Sequence, residues 1–232
     1  MGLNLNPASL VQGPERLAHG DTADAIVRCN VVGMEARTWR DIAQDNCFFE
    51  AELGVCDVIV ANAGILVAKP AVEISQHEWD KLIAVNLSGA FHTATVFARR
   101  MTRTERSGSI TFSSSLFGVR GGPGNSAYSA SKFGIIGLAQ SMAAELAPFG
   151  IRVNSVCPGQ IATAMIEELF QARAGESGRS VAEERHAFES KIPLGRLGTP
   201  EDVANTFVYF ASELSSYVTG QHLIVDGGWQ VA

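Results

Sequence analysis

The sequence predicts an α/β chain built on a doubly wound parallel sheet. Two observations carry that expectation. Short apolar, β-branched runs alternate with longer helical patterns along the 232 residues, as in sheets whose strands are joined by crossover helices. One of those runs, Asp57-Val58-Ile59-Val60-Ala61, is apolar at successive positions, as a central parallel strand covered on both faces must be. A chain of this length reads as a single domain, residues 1–232, with a sizeable core.

The elements follow in order. Leu3-Asn4-Leu5 is a short strand, Pro14 to His19 a helical turn, Ala25 to Cys29 a strand and Glu35 to Leu53 a helix stopped by Gly54. After the strand at 57–61, Ser75-Gln76-His77-Glu78 has the form of a capping box, and the helical pattern behind it runs to about Met101. A strand at 109–114 precedes a glycine-rich loop, Gly118 to Gly124. The next helix runs from about Ala127 to Ala147-Pro148, with Gly150 beyond and with Ile135, Ile136, Leu138 and Met142 assigned to the core. Ile151 to Val156 is a strand, and residues 163–190 are polar and helix-prone, interrupted by Gly175 and Gly178. Thr199-Pro200-Glu201-Asp202 opens a helix with a cap, a proline at its first position and early acids. Gln221 to Asp226 is the last strand.

Composition narrows the function. Net charge is −6 and no basic cluster extends beyond a few residues, which argues against nucleic acid. No apolar run is long enough to span a membrane, and the N-terminus lacks a secretory pattern. Cys29, Cys47, Cys56 and Cys157 have no metal-ligand spacing, and the five histidines are scattered, so no metal site is expected. The cysteines read as thiols of a cytoplasmic protein.

Tyr128-Ser129-Ala130-Ser131-Lys132 carries the most chemistry. It sets a phenol and an ammonium one helical turn apart on one face. A cation that close favours the phenolate, so the tyrosine pKa is expected to fall, bringing it within reach of proton exchange with an alcohol or carbonyl oxygen. Ser115 precedes it at the carboxyl end of the strand at 109–114, the end where open α/β sheets bind ligands.

With these residues, Asn62-Ala63-Gly64, Val85-Asn86-Leu87, Pro158-Gly159-Gln160-Ile161-Ala162-Thr163 and Asp226-Gly227-Gly228 make the chain resemble the classical short-chain dehydrogenase/reductase family, from about residue 2 to Trp229. The resemblance implies a Rossmann-like fold and reversible hydride transfer between a nicotinamide cofactor and a secondary alcohol or ketone. By that resemblance Tyr128 is the acid/base and, with Lys132, also binds the cofactor; Lys132 lowers the tyrosine pKa and holds the nicotinamide ribose. Ser115 orients the substrate oxygen, and Asn86 anchors a water on the proton path. It further implies close backbone approach of Asn62, Ala63 and Gly64 to the cofactor. Pro158, Gly159, Ile161 and Thr163 would lie at the nicotinamide carboxamide and phosphates, and Asn30 at the adenine. The absence of a basic residue near Asn4 leans toward NAD, with NADP possible. Residues 164–192 should form a lid, with a loop flavour similar to polyol and diol dehydrogenases of the family, while ketoacyl reduction and steroid oxidation stay open. Members of the family are usually tetramers, so a homo-oligomer, tetramer or dimer, is expected.

The sequence departs from the family in one large respect. The glycine-rich turn that cradles the pyrophosphate has no counterpart among Gly2, Gly13, Gly20, Gly33 and Gly54. The expectation is a chain that starts one β-α unit late, missing the first strand and helix. Direct pairing of the second and fourth strands, a partner chain in the gap and a late-called start codon each fit the residues. Ala61 and Asn30 also replace residues typical of the family, so a non-catalytic, structural or cofactor-defective relative stands as the alternative.

Overall fold

The computed structural model describes residues 56–231. The expected elements before Cys56, and with them the missing glycine-rich turn, Asn4 and Asn30, lie outside the described residues.

Four parallel strands form the sheet: β1 (Val58–Ala61), β2 (Gly108–Ser113), β3 (Ile151–Pro158) and β4 (His222–Val225), side by side in chain order. Parallel neighbours need crossovers, and helices supply them. The first begins with α1 (Gln76–Ile83), where Ser75 and Glu78 make the expected capping box. It continues through a π turn, Ala84–Ser88, into α2 (Gly89–Arg103). The second is α3 (Ser126–Leu146), extended by a short 3-10 turn and ended by Gly150 in the left-handed conformation. The third comprises α4 (Ala164–Ser177), α5 (Val181–Glu189) and α6 (Pro200–Ala211), the last with the expected cap from Thr199 and Asp202.

Side-chain alternation along β2 decides what covers each face. Ile110 and Phe112 join Ile59, Ile151 and Val153 in a core closed by Ala94, Phe97 and Met101 of α2 and by Ile135, Ala139 and Met142 of α3. Ser109 turns the other way, and its hydroxyl donates to the carbonyl of Phe210 at 2.7 Å. That bond fastens α6 to the opposite face, so the sheet is covered on both sides.

Several boundaries need correction. β2 starts at Gly108 and ends at Ser113, and β3 runs on to Pro158. Of the α3 residues assigned to the core, Ile135 and Met142 are buried, whereas Ile136 and Leu138 are only partly covered, because they sit at the edge of the stripe facing the sheet. Gly175 does not interrupt its helix. Only Gly178 does, at a φ of 74°. The lid segment 164–192 is a packed helical pair. Phe170 of α4 meets Phe188 of α5 edge-on, and Trp229, from beyond β4, stacks on Phe188 with centroids 5.0 Å apart. Ile192 and Leu197 complete this second, smaller core.

Candidate active site

The carboxyl ends of β1, β2 and β3 gather the candidate residues. β2 ends at Ser113, and the chain turns at once into a 3-10 turn, Leu116–Gly118, capped by the Ser115 hydroxyl, which accepts from the Phe117 amide at 3.1 Å. The first turn of α3 sets Tyr128 opposite. Phe117 packs edge-on against the Tyr128 ring at 6.2 Å, fixing the phenol relative to the serine turn.

Lys132 is 3% exposed and lies 5.6 Å from the centre of the Tyr128 ring. Its ammonium donates to the Ser113 carbonyl at 2.8 Å. Among the described residues that bond occupies one of three donors, leaving the others free to reach a ligand at the sheet edge. Burial pulls the lysine pKa down to about 8, against a smaller opposing pull from Cys157. The expected fall of the tyrosine pKa is not found. Burial raises it, and the Ser115 hydroxyl offsets only part of that rise. The i to i+4 spacing brings the two groups onto one face, but the fold also takes both out of water, and for the phenol desolvation is the larger effect.

Asn86 sits in the π turn, 1% exposed. Its Oδ1 accepts from the Ile65 amide at 2.8 Å, and its Nδ2 donates to the Ile65 carbonyl at 2.9 Å and to the Ser131 hydroxyl at 3.1 Å. The Ser131 hydroxyl in turn donates to the Tyr128 carbonyl at 2.7 Å. The asparagine side chain therefore ties the loop after β1 to the helix that carries Tyr128. Both of its amide hydrogens are engaged in that tie. Ser131 stands inside the Tyr-to-Lys motif, and its role was not visible from spacing alone.

Gly64 comes closest to the site of the three residues Asn62, Ala63 and Gly64. A Cβ there would stand 3.4 Å from the Lys132 nitrogen and 3.5 Å from the Asn86 Oδ1. Pro158 ends β3. Gly159 follows where a Cβ would overlap Asp226, and its amide donates to the Val225 carbonyl at 2.9 Å. Ile161 bridges to Gly198 in parallel fashion, through Gly198 donating to Gln160 and Ala162 donating to Gly198. That pattern points the amide and carbonyl of Ile161 itself away from Gly198. Thr163 caps α4 by position, without a side-chain bond to the helix, and is exposed. The structure thus brings Ser115, Tyr128, Lys132, Asn86 and Gly64 together. Asn30 lies outside the described residues.

The Lys132 shift has a consequence for stability. The folded lysine releases its proton near pH 8, whereas the unfolded one holds it to about 10.5. The unfolded chain therefore binds more protons above about pH 8, and stability rises with pH from there. Cys157 and Tyr128 have raised pKa values and oppose this once their unfolded forms ionise, near 9.0 and 10.0. The gain is confined to about pH 8 to 9 and amounts to at most about 1.4 kcal/mol. Urea unfolding across that window should show wild type gaining on Lys132→Met. A pH-independent difference between the two would refute the assignment.

A twisted parallel sheet with helices on both faces, and a serine, a tyrosine and a lysine at its carboxyl edge, define a doubly wound nucleotide-fold protein of the Rossmann class. The chain belongs to the short-chain dehydrogenase/reductase family: the family model described as enoyl-(acyl carrier protein) reductase matches residues 9–230. A 3-oxoacyl-(acyl-carrier-protein) reductase of Thermotoga maritima is 44% identical over 175 residues, 75% of this chain and 66% of that protein. An L-2,3-butanediol dehydrogenase of Corynebacterium glutamicum is 38% identical over 177 residues, 76% of this chain and 69% of that one. The match thus spans about two thirds of these relatives' length. A solved structure from Agrobacterium tumefaciens, a candidate 2-deoxy-D-gluconate 3-dehydrogenase with bound NADP, is 37% identical with a TM-score of 0.69, over 76% of this chain and 68% of that one.

Proposed function

We propose that this protein is an NAD(P)-dependent oxidoreductase interconverting a secondary alcohol and a ketone. The observation that carries the reading is the joint placement of Ser115, Tyr128 and Lys132 at the carboxyl edge of β2, with the Ser115 hydroxyl acting on the phenol. The residues present fit a nicotinamide nucleotide. Lys132 has ammonium donors to spare for ribose hydroxyls, Gly64 keeps the space beside it clear of a side chain, and Ile161 has its backbone groups turned away from its bridge partner. Asn62, Ala63, Pro158, Gly159 and Thr163 would complete the described half of the cradle. When bound, the nicotinamide ring supplies or accepts the hydride.

The chain's own residues handle the proton. Burial holds Tyr128 as a neutral phenol near pH 7, so its favoured task there is to donate a proton to a carbonyl oxygen held by Ser115. In the reverse direction the phenolate removes the hydroxyl proton, which favours alkaline conditions. Lys132, fixed on Ser113, keeps positive charge beside the phenol below about pH 8. Diols and polyols are the substrate class favoured by the lid-loop likeness and by the butanediol relative. The enzyme is further proposed to work as a cytoplasmic homo-oligomer, tetramer or dimer, without nucleic acid or membrane. NADH and NADPH fluorescence titration, followed by turnover on a panel of diols, polyols and ketones, tests the proposal. Binding with turnover is the expected result. A folded protein that binds neither cofactor would sink it and leave the structural, non-catalytic reading.

A further inference from the structure

A cavity of about 550 Å³ opens where the lid meets the serine turn, lined by Arg120, Ser190, Lys191, Pro193 and Trp229. Its position follows from the chain. The Arg120 amide donates to the carbonyl of Leu116 at 3.2 Å, and Leu116 directly follows Ser115. Lys191 and Pro193 close the end of α5, and Trp229 is fixed by its stack on Phe188. The wall of the cavity and the candidate active site therefore share one short turn.

Other lid cations are neutralised: Arg179 pairs with Glu184, Arg185 with Glu167, and Arg196 with Asp202 at 2.7 Å. Arg173 lies over the Phe188 ring. Nearby acids are also committed. Glu189 faces Arg185, and both Asp226 oxygens accept backbone amides, from Gly228 at 2.9 Å and Gln230 at 2.8 Å. Among the described residues, the side chains of Arg120 and Lys191 have no acidic partner. Two cations without an acidic partner line an open cleft with a stacked indole on one side.

We infer that this cavity binds the anionic end of the substrate, a carboxylate or phosphate on the alcohol or ketone being turned over. The inference rests on the oxidoreductase reading for the reacting end of that molecule. Arg120 supplies a planar fork and Lys191 a mobile point charge, while the single hydroxyl hydrogen of Ser190 is committed to the Ala187 carbonyl at 3.1 Å. Trp229 covers the apolar portion between anion and reacting carbon. A net charge of −6 would otherwise disfavour an acidic substrate, so a local cationic pocket is what such a substrate requires.

Matched pairs test this: a neutral polyol against its sugar acid, and the same polyol against its phosphate ester. Arg120→Gln and Lys191→Gln should each lower kcat/KM for the anionic member about ten- to a hundredfold and leave the neutral member within about twofold. Selective loss with the acid alone, or with the ester alone, identifies which anion the cavity takes. Equal loss on neutral and anionic members, or no loss on either, overturns the inference. Calorimetry with gluconate and with inorganic phosphate gives a readout independent of turnover. Wild type and Tyr128→Phe should bind one of them, and the Arg120 and Lys191 variants should bind it more weakly. Binding without any turnover by wild type would discredit the oxidoreductase reading and leave the anion site standing. Turnover without anion binding would do the reverse.

Discussion

Tyr128→Phe should lower turnover by about a hundred- to ten-thousand-fold, the range expected when a positioned proton donor is removed. The substitution deletes one oxygen and keeps the ring, so the edge-on contact with Phe117 survives and folding should be little changed. Cofactor affinity should fall little, because Lys132 and Ile161 are proposed to hold the ribose and carboxamide and the ring at position 128 stays in place against Phe117. The measurement is kcat with circular dichroism and NADH titration as controls. Wild-type turnover by the variant would remove Tyr128 from the reaction. A parallel loss of cofactor binding would make its role structural. Ser115→Ala should move in the same direction by a smaller factor, since the serine orients the substrate oxygen and carries no proton.

Gly118→Ala should destabilise the fold by about 2–4 kcal/mol, by overpacking and by displacing a buried hydrogen bond. The new methyl would stand 2.8 Å from the Lys132 carbonyl oxygen and press still closer on the Ser114 hydroxyl. That hydroxyl donates to the same carbonyl at 2.9 Å. Both partners are buried, Ser114 directly after β2 and Lys132 in the second turn of α3, so the carbonyl cannot move aside without shifting Lys132. The expected result is a lowered urea midpoint together with weakened cofactor binding. If Gly118→Ala unfolds like wild type, the serine turn is more yielding than its packing implies. Gly121→Ala, which has nothing within 4 Å of its added methyl, serves as the neighbouring control.

The strands and most helices were legible because their signals are local. Ser75 and Glu78, and Thr199 and Asp202, announce helix starts through short-range bonds that hold in the fold. Val58 to Ala61 announces a buried strand by composition alone. The grouping of Ser115, Tyr128 and Lys132 was legible because their spacing matches a strand, a turn and a helix in that order. Their electrostatics were not. Sequence separation gives the distance from ammonium to phenol, but the tyrosine pKa depends on how much water the surrounding fold leaves, and here desolvation reverses the expected sign. The Asn86–Ile65–Ser131 tie was hidden for a different reason. It joins residues far apart in the chain, and it needs a backbone irregularity that no periodicity announces.

That irregularity has a consequence for what the chain tolerates. Between Ala84 and Ser88 the backbone holds one residue more than an α-helix would, with the Gly89 amide reaching back to the Ala84 carbonyl. Each helical residue advances the side chains by about 100°, so the extra one is a phase slip between two amphipathic repeats. Before it, the repeat is set by Leu82; after it, by Ala90, Ala94, Phe97 and Met101, all buried. Deleting a single residue from this stretch would produce a more regular helix and a worse protein. One repeat or the other would rotate off the sheet, and Asn86 would swing away from the loop it clamps. Elsewhere on a helix surface an exposed side chain can be exchanged at little cost. Here the count of residues, more than their identity, is the quantity the fold cannot give up.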